Sequence, residues 1–138
     1  MQTFLPYSSF QESAKSLDRM RLGKQRVEAL QIIYSLTNPN YGWKNHPAVK
    51  MWKNHVPALA NYGIAICDEW IQRGYKDTTR DKFLQYAKNE TVVILPKWIG
   101  NKDFHLSHQS NLLRKNPDWY SKFEWNVSND LPYIWPSS

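Results

Sequence analysis

Apolar residues recur along this chain at helical rather than alternating intervals. Between positions 48 and 73 they fall at Val49, Trp52, Val56, Leu59, Tyr62, Ile66 and Trp70, steps of mostly three or four that lay one apolar stripe along a helix. Pro57 kinks or divides that stretch, and Gly74 ends it in the manner of a C-cap. A long helix is predicted over 18–36, with Asp18 as N-cap and the breaker cluster Thr37-Asn38-Pro39-Asn40 after it. On that helix Val27, Leu30 and Tyr34 form the stripe suited to a core. Shorter helices are predicted over 9–16, capped by Ser9, from Pro47 as a first helical residue, over 79–88, and from Asp103 or Ser107 to Lys115 before Asn116-Pro117. Residues 1–8 are β-prone, but Pro6 opposes a long strand. TVVILP is a short extended piece, and the tail from Asp118 is aromatic, proline-bearing and irregular. With no alternating strand–helix pattern, the expectation is an all-α, compact single domain over 1–138, built from a few helices with an irregular aromatic C-terminal tail.

The predicted long helix carries the densest chemistry. LDRMRLGKQRVEALQ over 17–31 gathers Arg19, Arg21, Lys24 and Arg26 in two turns and then sets a single carboxylate, Glu28, among them. Arg21, Lys24, Glu28 and Gln31 share one face by their spacing. One reading is a solvated surface, with Glu28 paired to Lys24 in the weaker helical orientation, worth a few tenths of a kcal/mol. The other is a phosphate-binding groove with a general acid/base set into it, kept ionised by the cations. The residues of this helix leave both open.

Composition narrows the partner. The chain of 138 residues has a formal charge of +6, which favours a polyanion. Seven Trp and eight Tyr are more rings than one core readily absorbs. A second cluster, Arg114-Lys115 followed by Trp119, Tyr120, Lys122, Phe123 and Trp125, interleaves cations with rings, as a nucleic acid would require. The competing reading packs those rings onto the helices. Cys67 is the single cysteine, so no intrachain disulfide or zinc cluster is expected. His46, His55, His105 and His108 are scattered; of these His46, His105 and His108 are read as DNA-facing or core residues rather than metal ligands. The expectation is a cytoplasmic monomer without cofactor, metal or membrane span.

Four segments carry a family resemblance. LDRMRL runs into Glu28-Ala29-Leu30, GWKNHP occupies 42–47, CDEWIQRGY occupies 67–75, and NPDWYSKF occupies 116–123. In that order they resemble motifs of the pyrimidine-dimer DNA glycosylases, the phage endonuclease V type and its bacterial relatives. The resemblance implies an all-α domain acting on damaged duplex DNA through its N-terminal α-amine. That amine forms a Schiff base at the sugar C1′, and a helix glutamate assists the elimination that nicks the strand. By resemblance the glutamate is Glu28. The amine would be that of Met1, since bulky Gln2 disfavours methionine removal. α-Amines as a class titrate about two units below lysine, so a useful fraction is unprotonated near neutrality. Arg19, Arg21, Lys24, Arg26, Gln31, His46, His105, His108, Arg114, Lys115, Trp119, Tyr120 and Lys122 are the expected DNA contacts. The alternatives are a non-catalytic binder of distorted DNA and, further off, an RNA- or nucleotide-binding domain.

Overall fold

A computed structural model describes residues 1–87 and 92–137. Among them are seven α-helices, one short 3₁₀ turn and no strand. Helix α1 spans Phe10–Ser16, and Ser9 caps it by accepting the Glu12 N–H. Helix α2 spans Arg19–Thr37, α3 Pro47–Lys50, α4 Val56–Gln72, α5 Arg80–Ala87, α6 Lys102–Lys115 and α7 Pro117–Tyr120. None of the described helices is long and apolar enough to cross a membrane.

Local signals set most of these boundaries. Pro47 opens α3, and Gly74 adopts φ 95° after α4 while its N–H donates to Ile71, a left-handed stop that glycine makes without strain. The break in the 48–73 stretch falls at 51–55, before Pro57, which sits in the first turn of α4. Asn101, rather than Asp103 or Ser107, caps α6 by accepting the Phe104 N–H. The tail is partly regular, because α7 and the 3₁₀ turn Ser121–Phe123 precede its irregular end. Residues 92–95 pair with no strand. Lys88 and Thr91, the outer ends of two predicted segments, lie outside the described residues.

Helix α4 is the centre of the packing, with α1, α2 and α5 against it. A Cβ on Gly63 would come within 2.3 Å of the Phe83 ring, so the absent side chain is what lets α5 seat on α4. The core face of α2 is Leu22, Gln25, Ala29, Leu30, Ile32 and Ile33; of the predicted stripe, Leu30 is buried and Tyr34 packs against the core, but Val27 is 51% exposed. The sequence pattern places that face off-centre because one of its members, Gln25, is polar yet fully buried.

Gln25 is buried because residues 2–6 run extended through the interior with no strand beside them, and their backbone groups need partners. The Phe4 N–H donates to Gln25 Oε1 at 3.0 Å, and Gln25 Nε2 donates to the Gln2 carbonyl at 2.8 Å. The Tyr62 hydroxyl lies 2.6 Å from Gln25 Oε1 and 2.9 Å from the Phe4 carbonyl. From the other side α6 contributes two histidines and a glutamine. The Leu5 N–H donates to His108 Nδ1 at 3.0 Å, His105 Nδ1 meets the Leu5 carbonyl at 2.8 Å, and Gln109 donates to the Pro6 carbonyl. The Gly100 N–H donates to His105 Nε2, which assigns the His105 proton to Nδ1. His105 and His108 are therefore interior clamps, and the expectation that they face DNA is corrected.

Replacing Gln25 by Leu is expected to leave Phe4 N–H and Gln2 C=O without partners and to lower stability by roughly 2–4 kcal/mol, measured by urea unfolding. Burial, aided by the neighbouring His105, pushes His108 down to about 3 from an ordinary value of 6.5. Below pH 6.5 the unfolded chain takes up a proton that the fold refuses. Stability should thus be complete above that pH and fall by up to about 1.4 kcal/mol per unit toward pH 3, read as a declining thermal midpoint.

Candidate active site

The clamped N-terminal segment delivers Met1 to a cleft of about 290 Å³, lined by Met1, Gln2, Phe4, Met20, Arg21, Lys24, Glu28, Lys115, Tyr133 and Trp135. Helix geometry explains the membership. At 3.6 residues per turn, Arg21, Lys24 and Glu28 fall on the flank of α2 beside its buried stripe, while Arg19 and Arg26 fall on the other flank. Gln25, one turn before Glu28, reaches both: its Nε2 donates to Glu28 Oε2 at 2.9 Å as well as to the Gln2 carbonyl. One carboxamide thus ties the first residues of the chain to the carboxylate of the cleft.

Arg21 is held by a relay from the C-terminal part of the chain. Its Nη1 lies 3.2 and 3.3 Å from the two oxygens of Asp18, and Asp18 also accepts the Tyr120 hydroxyl at 2.5 Å. Asp18 occupies the N-cap position of α2 but makes no capping hydrogen bond with its side chain. Tyr120 is fully buried, and burial, reinforced by the hydrogen bond to Asp18, holds its phenol far above the ordinary range. Tyr120 thus supports Arg21 from inside, a correction to its expected contact with DNA.

Arg26 is also reassigned. Its Nη1 lies 2.7 Å from Asp77 Oδ1, and its guanidinium stacks over the Trp70 ring at 4.4 Å. Burial works to raise Asp77, but hydrogen bonds from Thr79, Arg26 and Arg80 outweigh it and bring the carboxyl to about 2. This ion pair and the Trp70 ring hold Arg26 on the flank of α2 away from the cleft. Arg114 donates to the Asn129 carbonyl and to Asn111, which pins the tail. Trp119 donates to the Ser16 carbonyl, and Lys122 sits 3.4 Å over its ring. Arg19 is exposed, and Gln31, a turn beyond Glu28, is half-buried.

His46 belongs to the surroundings of the cleft. Its ring lies 6.0 Å from that of Trp135. Burial lowers its pKa, the Met1 ammonium acts in the same direction, and Glu28 opposes. Sequence reasoning missed Gln25, Tyr133 and Trp135. Tyr133 is pushed up to about 12 by burial, against Arg114 and Arg21 and with Glu28. The tail bearing these rings is laid along α6, where Leu131 N–H donates to Ser110, Ile134 N–H donates to Ser107, and Asn111 donates to the Leu131 carbonyl. No periodic signal could announce this; the small polar residues of α6 are the only trace.

The cleft therefore brings together Met1, the carboxylate-bearing Glu28 and three cationic residues, Arg21, Lys24 and Lys115, from distant parts of the chain. Neither the curated proteins nor the solved structures compared with it give a match. Residues 1–83, which include Met1, all of α2 and the 42–47 loop, match the profile of a family described as pyrimidine dimer DNA glycosylase. With well over half its length matched, the chain belongs to the pyrimidine dimer DNA glycosylase family.

Proposed function

We propose that this protein excises a damaged pyrimidine from duplex DNA through a Schiff base on the Met1 amine, and that Glu28 then assists strand elimination. The observation that supports this reading is the shared cleft, in which Met1 and Glu28 stand with Arg21, Lys24 and Lys115. The unprotonated amine attacks C1′, and the glycosidic C–N bond breaks with its electron pair leaving on the base, which takes up a proton. The adduct nitrogen gives up a proton, and the C1′–O4′ bond then breaks as nitrogen and C1′ form the protonated imine, O4′ taking up a proton to become a hydroxyl. The Glu28 carboxylate removes a proton from C2′, and the 3′ phosphate departs by β-elimination. Gln25 acts as a positioning residue, since its donated hydrogen bond orients Glu28. Arg21, Lys24 and Lys115, with exposed Arg19 and Lys122, hold the backbone phosphates.

Borohydride should trap a covalent adduct on dimer-containing and on abasic duplexes. Glu28→Gln is expected to slow nicking by about a hundredfold or more while leaving DNA binding in place. An additional residue ahead of Met1 should abolish trapping. Absence of any adduct, or full turnover by Glu28→Gln, would refute the mechanism. Lys24→Ala and Lys115→Ala should each reduce the salt slope of binding by about one, measured by titration of a labelled duplex in rising salt.

A further inference from the structure

Five rings form a file that starts at the surface and ends in the core. Trp43 meets His46 at 6.2 Å, His46 meets Trp135 at 6.0 Å, Trp135 meets Tyr133 at 5.5 Å, and Tyr133 meets buried His108 at 5.4 Å. Trp135 and Tyr133 line the cleft that holds Met1 and Glu28. Trp43 is 62% exposed and Trp135 39% exposed, so two indoles are presented to solvent beside a cationic rim. Trp43 also adopts φ 70°, a left-handed backbone uncommon for a bulky residue. Its loop is tied down regardless: the His46 N–H donates to the Trp43 carbonyl, Ser35 donates to the Gly42 carbonyl, and Lys44 donates to the Ser35 and Asn38 carbonyls. The indole is held out by a fixed loop.

Among the described residues, His46 Nε2 has no hydrogen-bond partner. The Ala48 N–H donates to Nδ1 at 3.0 Å in capping α3, so in the neutral ring the proton resides on Nε2. His46 is thereby a hydrogen-bond donor of fixed tautomer and not a proton acceptor. A donor of this kind suits a ring carbonyl, which thymine, uracil, cytosine and guanine carry and adenine lacks. Indole faces suit the base plane.

We propose that Trp135, His46 and Trp43 receive an unstacked pyrimidine-type base at the cleft, stacking on its face while His46 Nε2–H binds a ring carbonyl. This rests on the amine chemistry proposed above and adds how the base is selected. Tyr133 and Trp135 lie outside the residues matched by the family profile, so this wall is argued from this chain alone.

The test compares borohydride trapping on a thymine-dimer duplex and on an abasic duplex, which offers no damaged base to stack. His46→Asn retains an acceptor for the Ala48 N–H but removes the Nε2 donor. Trp135→Ala removes the stacking face, and Trp135→Phe keeps a ring there. Trapping by His46→Asn and by Trp135→Ala should fall about tenfold further on the dimer duplex than on the abasic one. Trp135→Phe should recover most of the difference. Equal losses on the two substrates, or no loss, would overturn the base-receiving role while leaving the amine chemistry standing. Wild-type protein that traps neither substrate would refute the amine chemistry, and this inference with it.

Discussion

One buried carboxamide, that of Gln25, sets the conditions for everything around it. An extended segment without a strand partner has a backbone that water cannot satisfy, and each unmet group would cost on the order of 1–3 kcal/mol. Gln25 meets two of those groups, shares its oxygen with Tyr62 and spends its remaining hydrogen on Glu28. Its orientation is fixed by this pattern, since exchanging oxygen and nitrogen would set donor against donor at Phe4. The fold of the N-terminal segment and the orientation of the cleft carboxylate are therefore one arrangement.

The charges of α2 divide by flank. On one side Arg21, Lys24 and Glu28 open to the cleft. On the other, Arg26 is bound by Asp77 and Trp70, and this fastens α2 to the turn after α4. Equal charges thus do unequal jobs, and helical angle together with the nearest carboxylate decides which. Inside, the reverse holds: His105 and His108 are kept neutral by burial, so they can clamp a backbone without bringing charge into the core.

Much of this was legible from local signals. Ser9, Pro47, Gly74 and the Asn116-Pro117 stop act within a turn of the boundaries they set, so sequence alone places them. Glu28 stood out because a lone acid among cations needs a reason. The misreadings share a cause, which is partners far away in sequence. Arg26 looked free because Asp77 is 51 residues on. His105 and His108 could be read as DNA-facing or as core residues, because the backbone they clamp lies about a hundred residues earlier. Val27 reads as a core position beside Leu30 and Tyr34 because Gln25, a glutamine on the core face, carries no hydrophobic signal. The tail rings were visible in the composition, but their place in the cleft depends on serines of α6 that periodicity does not mark.

The span of the clamp bears on how the protein is made. Leu5 and His108 are 103 residues apart, so the N-terminal segment has no seat until α6 has emerged and docked, and such long closures form late. Two rings of the cleft come from later still, at 133 and 135. An unfinished chain would thus lack the wall that Tyr133 and Trp135 give the cleft. The full cleft is assembled only once α6 and the tail have docked.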